Sequence, residues 1–263
     1  MTTQRFFVHP DWIRQGAVQI TGPLVHQMRN VLRMRPGDQF VVLDNSGWEY
    51  QAELEDIDAA MASAHILQKR LAIGEPRTKI RLYQGLLKGR HFEWVLQKCT
   101  EIGIVEFVPV ISDRCLISSL DDISSDKMQR WQRIILEAAE QSHRGRLPRL
   151  HQPVLFSQAC DQIRQAGLGM MLWESETKSA LKDILQASFV AGRTTKGRPR
   201  RPFSISMLIG PEGGFTQEEA DLAQQYGLRT ITMGARILRA ETAGLVAATA
   251  ILYEMDDLAY ADN

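Results

Sequence analysis

Two stretches near the carboxyl end of the chain combine residue types and spacings suited to holding a small ligand. The first is Leu208-Ile209-Gly210-Pro211-Glu212-Gly213-Gly214-Phe215-Thr216. An apolar run enters a glycine-rich turn, and Thr216-Gln217-Glu218-Glu219 then has the form of a capping box, in which the Thr216 hydroxyl and the Glu219 carboxylate each satisfy a backbone N–H at a helix start. Open α/β sheets bind ligands at the carboxyl ends of their strands. The glycines at 210, 213 and 214 let the backbone approach a ligand with no Cβ in the way. The same pattern also serves as a plain strand-to-helix turn. Its spacing is neither GxGxxG nor GxxxxGK(S/T), which argues against a dinucleotide fold or a P-loop. The second stretch is Met233-Gly234-Ala235-Arg236-Ile237-Leu238-Arg239-Ala240-Glu241-Thr242-Ala243. Here another strand ends in glycine, arginines flank Ile237-Leu238, and a helix opens that is built almost wholly of Ala, Gly, Leu, Val and Ile. The plain alternatives are surface ion pairs for Arg236 and Arg239 and an N-cap for Thr242.

The elements that must position these stretches follow from the hydrophobic periodicity. Up to residue 73 the chain reads as a small β-rich domain, most simply a barrel. Gln39–Leu43 and Trp48–Leu54 are joined by the turn residues Asp44-Asn45-Ser46-Gly47, Met61–Leu67 follows as a third strand, and Pro23–Leu32 has helical spacing. Gly74-Glu75-Pro76 breaks both patterns and marks the boundary, giving domains 1–73 and 74–263. Beyond it strands alternate with helices. Lys79–Leu87, Val105–Ile111, Gly169–Trp173, Ser204–Ile209 and Thr230–Met233 read as strands, whereas His91–Ile102, Ser125–Gln141, Ser157–Ala166, Lys178–Ala187, Thr216–Tyr226 and Thr242–Met255 read as helices. That alternation predicts a parallel sheet covered on both faces. The last helix is apolar nearly all round and must be buried on most sides. Its small residues Ala243, Ala247 and Ala250, with Ile251, would suit close packing against another helix, such as one from a second subunit.

Composition narrows the class. The chain has 263 residues, 31 Lys+Arg against 31 Asp+Glu, and 44% apolar residues, an ordinary globular balance. The charge is unevenly spread. Arg5, Arg14, Arg29, Arg33 and Arg35 face a single early acid, Asp11, and Gly192–Pro202 carries Arg193, Lys196, Arg198, Arg200 and Arg201 with no acid. Such patches are what a phosphate backbone feels. The three cysteines, Cys99, Cys115 and Cys160, lie far apart and form no CxxC, and the six histidines form no HxxxH pattern, so neither a disulfide framework nor a metal is expected. No stretch reaches the roughly 20 apolar residues of a membrane span, no signal peptide is read, and a reduced cytoplasmic protein is expected.

Taken together, GPEGGFTxEE followed about twenty residues later by GxRILRxETA resembles the signature of the RsmE family of 16S ribosomal RNA uridine-N3 methyltransferases, members of the SPOUT class. Lys98-Cys99-Thr100-Glu101-Ile102-Gly103 with Pro109, and Glu137-Ala138-Ala139-Glu140-Gln141-Ser142 with Arg144, Arg146 and Pro148, look like further segments of that family. The opening Arg5-Phe6-Phe7-Val8, with Val31-Leu32-Arg33 and Gly37-Asp38, is similar to its PUA-like RNA-binding domain, and the basic insert 192–202 departs from its pattern.

The resemblance implies a SPOUT-type parallel sheet with a C-terminal trefoil knot, preceded by a PUA-like β-barrel. It further implies S-adenosylmethionine as cofactor, 16S ribosomal RNA or the small ribosomal subunit as substrate, and a homodimer. The ligand residues carried over are Trp173 and Glu174; Ile209, Gly210, Pro211, Glu212, Gly213 and Gly214; Met233 and Gly234; and Ile237, Leu238, Arg239, Thr242 and Ala243. The chemistry requires loss of the uridine N3 proton and stabilisation of the resulting negative charge. Arg239 is the candidate for the second task and Glu241 or Glu212 for the first, although Glu241 can equally brace Arg239 or cap the last helix. Arg5, Arg29, Arg33, Arg144, Arg146, Arg198, Arg200 and Arg201 are the candidate RNA contacts. A SPOUT methyltransferase acting on another nucleotide and a non-catalytic RNA-binding module are the alternatives.

Overall fold

A computed structural model describes residues 3–117, 119–191 and 204–258; the basic stretch 192–202, with Arg198, Arg200 and Arg201, lies outside the described residues. The chain divides into two compact units, Met1–Glu75 with Ala139–Leu147, and Pro76–Ala138 with Pro148–Asn263.

In the first unit β1 (Arg5–Phe7), β2 (Ile13–Arg14), β3 (Ala17–Thr21), β4 (Gln39–Leu43), β5 (Trp48–Ile57) and β6 (Met61–Leu71) form one sheet in the order β1-β4-β5-β6-β3-β2. The β4–β5 hairpin turns at Asp44, whose carboxylate accepts the Ser46 N–H and the Tyr50 hydroxyl. Register shifts at Gln51/Ala52 and Leu54/Asp56 bend β5, since bulges increase local twist. The sheet curls into a half-barrel and does not close, because its outer strands β1 and β2 are not paired to each other. Phe6, Ile20, Met28, Phe40, Val42 and Leu54 fill its concave side. The helix read over Pro23–Leu32 is shorter and wider: α1 (Pro23–His26) passes into a π-helical turn, Gln27–Val31. Arg144 is 2% exposed, and its Nε and Nη2 donate to the two oxygens of Glu75 at 2.8 and 3.0 Å, while the N–H groups of Gly145 and Arg146 donate to the same carboxylate. Arg5 is likewise buried and paired with Glu49. These two guanidinium groups, read from the sequence as RNA contacts, are committed to the interior of the unit, because a buried cation needs a close anionic partner.

The second unit contains β7 (Lys79–Gly85), α2 (His91–Ile102), β8 (Glu106–Ile111), α3 (Ser125–Gln141), β9 (Arg149–Leu150), β10 (Val154–Leu155), α4 (Phe156–Arg164), β11 (Leu168–Leu172), α5 (Leu181–Ala191), β12 (Ser204–Ile209), α6 (Gln217–Gln225), β13 (Arg229–Ile231) and α7 (Ala240–Glu254), with the last three residues of α3 belonging to the first unit. The sheet is parallel throughout, in the order β10-β8-β7-β12-β11-β13 with β9 beside β8. Central β12 is buried from Ile205 to Ile209, the continuous apolar run expected of a strand covered on both faces. Helix α2 stops at Gly103, whose φ of 117° is the left-handed C-terminal stop. The small-residue face of α7 is not left for a second subunit. Ala243, Ala247, Ala248 and Ile251 are buried in the unit's own core, where α7 meets α2, β7 and β12, and Ala250 is half-buried. Tyr253 and Val246 remain on the outside, 75% and 36% exposed.

The end of α7 is tied to the start of the sheet by Asp257, which accepts N–H groups from Thr78 at 2.7 Å and Arg77 at 3.2 Å and the Arg77 guanidinium at 2.9 Å. Burial of the carboxyl works to raise its pKa, but the hydrogen bonds from Thr78 and Arg77 outweigh it and hold the group below its ordinary value. A carboxyl lowered in the folded state stabilises the fold above the ordinary carboxylate range and loses that contribution as pH falls through the folded value. Asp257→Ala is therefore expected to lower stability by about 1–3 kcal/mol at pH 7 in denaturant unfolding. Its deficit should shrink toward zero in the acid range; a deficit independent of pH would contradict the assignment.

Candidate active site

The loops that follow β11, β12 and β13 border one cleft of about 690 Å³ at the carboxyl ends of those strands. Trp173, Glu174 and Glu176 come from the first loop, 209–215 from the second, and Thr232 to Arg239 from the third, with Ala243 contributed by α7. Leu172, Ile209, Ile231, Met233 and Leu238 make its walls apolar, while Glu174, Glu176, Glu212, Thr232, Arg236 and Arg239 and the backbone of the glycine-rich loop add polar groups, the mixture of apolar wall and few polar groups common to small-ligand sites.

The loop after β12 is held from below and from both sides. Gln84, on β7 and 1% exposed, donates from Nε2 to the carbonyls of Gly85 and Gly210, each at 3.2 Å. Its Oε1 is buried and has no hydrogen-bond partner among the described residues. The Lys88 N–H donates to Glu212 Oε1 at 2.8 Å, and Arg114 Nη1 donates to the Gly213 carbonyl at 2.8 Å. The capping box forms as the spacing predicts, with Thr216 Oγ1 accepting from Glu219 N and Glu219 Oε2 from Thr216 N. Glu219 also accepts the Asp113 N–H at 3.0 Å, so one buried carboxylate fastens the helix start to the loop after β8. Burial pushes its pKa up, against the lowering effect of those N–H donors. At Gly214 the φ of 67° is the left-handed region, and a Cβ there would collide with the Glu174 carboxylate. At Gly213 a Cβ would meet Arg114 at 2.9 Å, so the crowding at this glycine comes from the neighbouring loop.

The carboxylates around the cleft differ in what they are free to do. Glu176 is a brace. Its oxygens accept the Thr230 hydroxyl and the N–H groups of Lys178 and Ser179, and the Thr230 bond above all keeps its carboxyl below the usual range. Glu212 is exposed and tethered through one oxygen, with His91 Nδ1 3.6 Å from the same atom. Arg239 borders the cleft as the N-cap of α7 and makes no ion pair among the described residues. All the residues expected to hold a ligand border the cleft except Thr242, which lies inside the first turn of α7 and donates its N–H to the Arg239 carbonyl. Glu241 is also outside the lining. Outside the residues read from the sequence as ligand contacts, the lining also takes in Leu172, Glu176, Thr177, Phe215, Ile231 and Thr232, and Arg236 of the second stretch joins it.

Arg29, Arg33 and Arg146 are exposed on the first unit. Among the described residues no group of His, Cys, Asp and Glu is arranged to hold a metal, and no helix is long and apolar enough to cross a membrane.

Comparison with known proteins adds a family to this geometry. Residues 74–252 match the family described as the RNA methyltransferase domain, and residues 20–59 the RNA methyltransferase PUA domain. The chain is 36% identical over 243 residues to ribosomal RNA small subunit methyltransferase E of Synechocystis, covering 92% of this chain and 75% of that protein. It is 34% identical over 257 residues to the protein of the same name from Bacillus subtilis, covering 96% and 97%. The crystal structure of ribosomal RNA small subunit methyltransferase E from Neisseria gonorrhoeae bound to S-adenosyl methionine superposes with a TM-score of 0.79 at 27% identity, over 96% of this chain and 98% of that one. With a curled β unit, a parallel sheet and a glycine-lined cleft at its strand ends, the chain belongs to the ribosomal RNA small subunit methyltransferase E family.

Proposed function

We propose that the chain transfers a methyl group from S-adenosylmethionine to N3 of a uridine in 16S ribosomal RNA. The observation that carries the reading is the cleft itself, where three strand-end loops, one of them glycine-rich, converge on a space with apolar walls and a polar border. When bound, S-adenosylmethionine supplies an electrophilic methyl group on its sulfonium. The apolar side chains at 209, 231, 233 and 238 suit the adenine ring, and the backbone of 210–214 and 232–238 suits the polar edges of the cofactor. Methyl transfer is an in-line displacement, so the chief work of these residues is to fix the approach. Uridine N3 lies on the pairing edge of the base, and the base must be unpaired to reach the cleft.

Arg239, exposed at the cleft and without an ion-pair partner among the described residues, is placed to stabilise the charge that develops on the base as N3 loses its proton. Glu212 is better disposed to take that proton than Glu241, which lies outside the lining, or Glu176, which is committed to the turn. The exposed Arg29, Arg33 and Arg146 supply RNA contacts from the first unit. A homodimer, with the last strand and helix threaded as a knot, is the assembly we favour. It is supported by Ile237, Val246 and Tyr253, apolar side chains 87%, 36% and 75% exposed.

Incubation with unmodified 16S ribosomal RNA and labelled cofactor, followed by nucleoside mass spectrometry, is expected to yield 3-methyluridine. Label on another nucleotide, or RNA binding without label, would overturn the reading. Arg239→Ala should lower kcat by about 10²- to 10³-fold while changing cofactor affinity little, as expected of a group acting on developing charge; equal losses in both would make Arg239 a binding residue. Gln84→Met tests the support of the loop. It removes the hold on Gly210 and also a buried acceptor that has no partner among the described residues, so folding stability should stay within about 1 kcal/mol of wild type. The cofactor Kd should nevertheless rise about tenfold; lost stability with unchanged Kd would make Gln84 purely structural. In light scattering the mass is expected at twice the 29.7 kDa of one chain and to fall toward one chain in Ile237→Asp, whereas a fully active monomer would exclude the dimer.

A further inference from the structure

Lys88 and Arg90 lie on the loop after β7, His91 opens α2, Arg114 lies on the loop after β8, and all four are exposed. These loops abut the cleft. The Lys88 N–H is bonded to Glu212, and the Arg114 guanidinium to the Gly213 carbonyl, so both reach the outer side of the glycine-rich loop whose inner side lines the cleft. Neither Lys88 nor Arg90 makes an ion pair among the described residues. The carboxylates that could neutralise the group are few. Glu212 is tethered to the Lys88 N–H and lies 3.6 Å from His91, Glu93 is taken by Arg130 at 2.7 Å, and Asp113, Asp121 and Asp122 are the exposed acids between β8 and α3. Trp94 stands one helical turn beyond Arg90, with its N–H on the Arg90 carbonyl, and is 38% exposed. Arg90 and Trp94 therefore share one face of the start of α2.

Trp94 leaves 38% of its surface open beside a lysine and an arginine that make no ion pair among the described residues. Cations that follow a strand, beside a flat aromatic face, are the elements of a surface for single-stranded nucleic acid: the cations meet phosphates and the ring stacks on a base. We infer that Lys88, Arg90 and Trp94 form a strand-binding rim on the methyltransferase unit, and that the RNA segment beside the target uridine crosses it on the way into the cleft. This rests on the proposed function and assigns the substrate a path along one edge of the site.

The test uses the full chain and an unmodified 16S ribosomal RNA transcript. The double variant Lys88→Ser/Arg90→Ser leaves the backbone bond to Glu212 in place. It is expected to raise the KM for RNA about tenfold and to flatten the salt dependence of RNA binding by about 0.7 for each lost phosphate contact, with cofactor Kd within about twofold of wild type. Trp94→Ala should weaken RNA binding at least about fivefold with no change in that slope, and Trp94→Phe should restore most of the affinity, because any aromatic face can stack. An active wild type whose KM and salt slope survive the double variant unchanged would overturn the rim and leave the function standing. A wild type that binds no cofactor and methylates no RNA would overturn the function and the rim together.

Discussion

A glycine-rich loop at the end of a strand has no hydrogen-bond ladder of its own, and everything this site can do depends on what holds that loop still. Here the hold comes from three directions. Gln84 supports the Gly210 carbonyl from the neighbouring strand, the Lys88 N–H and Arg114 guanidinium grip Glu212 and Gly213 from outside, and the Glu219 carboxylate locks the following helix start to Asp113. Each bond contributes only about 1 kcal/mol net, but each satisfies a backbone or buried group that would otherwise cost more to leave unmade. The strand order makes the arrangement possible, because β7 and β8 on one side and β11 on the other deliver their carboxyl ends to the same edge as β12.

The buried amide of Gln84 illustrates how a site draws on the fold. Its nitrogen serves the loop, while its oxygen is enclosed with no partner among the described residues, an arrangement that an apolar core residue would avoid. Stability and ligand geometry thus pull in different directions at this one position.

Much of the architecture is legible in the sequence because its signals are local. Helices at His91–Ile102 and Ser125–Gln141 and the strand at Ser204–Ile209 fall where hydrophobic spacing and the Gly103 stop place them. The Thr216–Glu219 capping box needs only residues three apart. What the sequence conceals is long-range pairing. Nothing local distinguishes Arg5 and Arg144, buried against Glu49 and Glu75, from the exposed Arg29 and Arg146, because the deciding partners lie 44 and 69 residues away. The same holds for α7, whose small residues meet a helix of their own unit, and for Gly213, whose close neighbour is Arg114 on another loop. Two-residue strands such as β9 and β10 are too short to carry any periodicity.

The account turns on the cleft being a site for S-adenosylmethionine, and calorimetric titration of the wild-type chain measures that directly. Saturable binding of one S-adenosylmethionine per chain, with no heat from NAD under the same conditions, is the predicted result. No binding of S-adenosylmethionine, or equal binding of NAD, would contradict it.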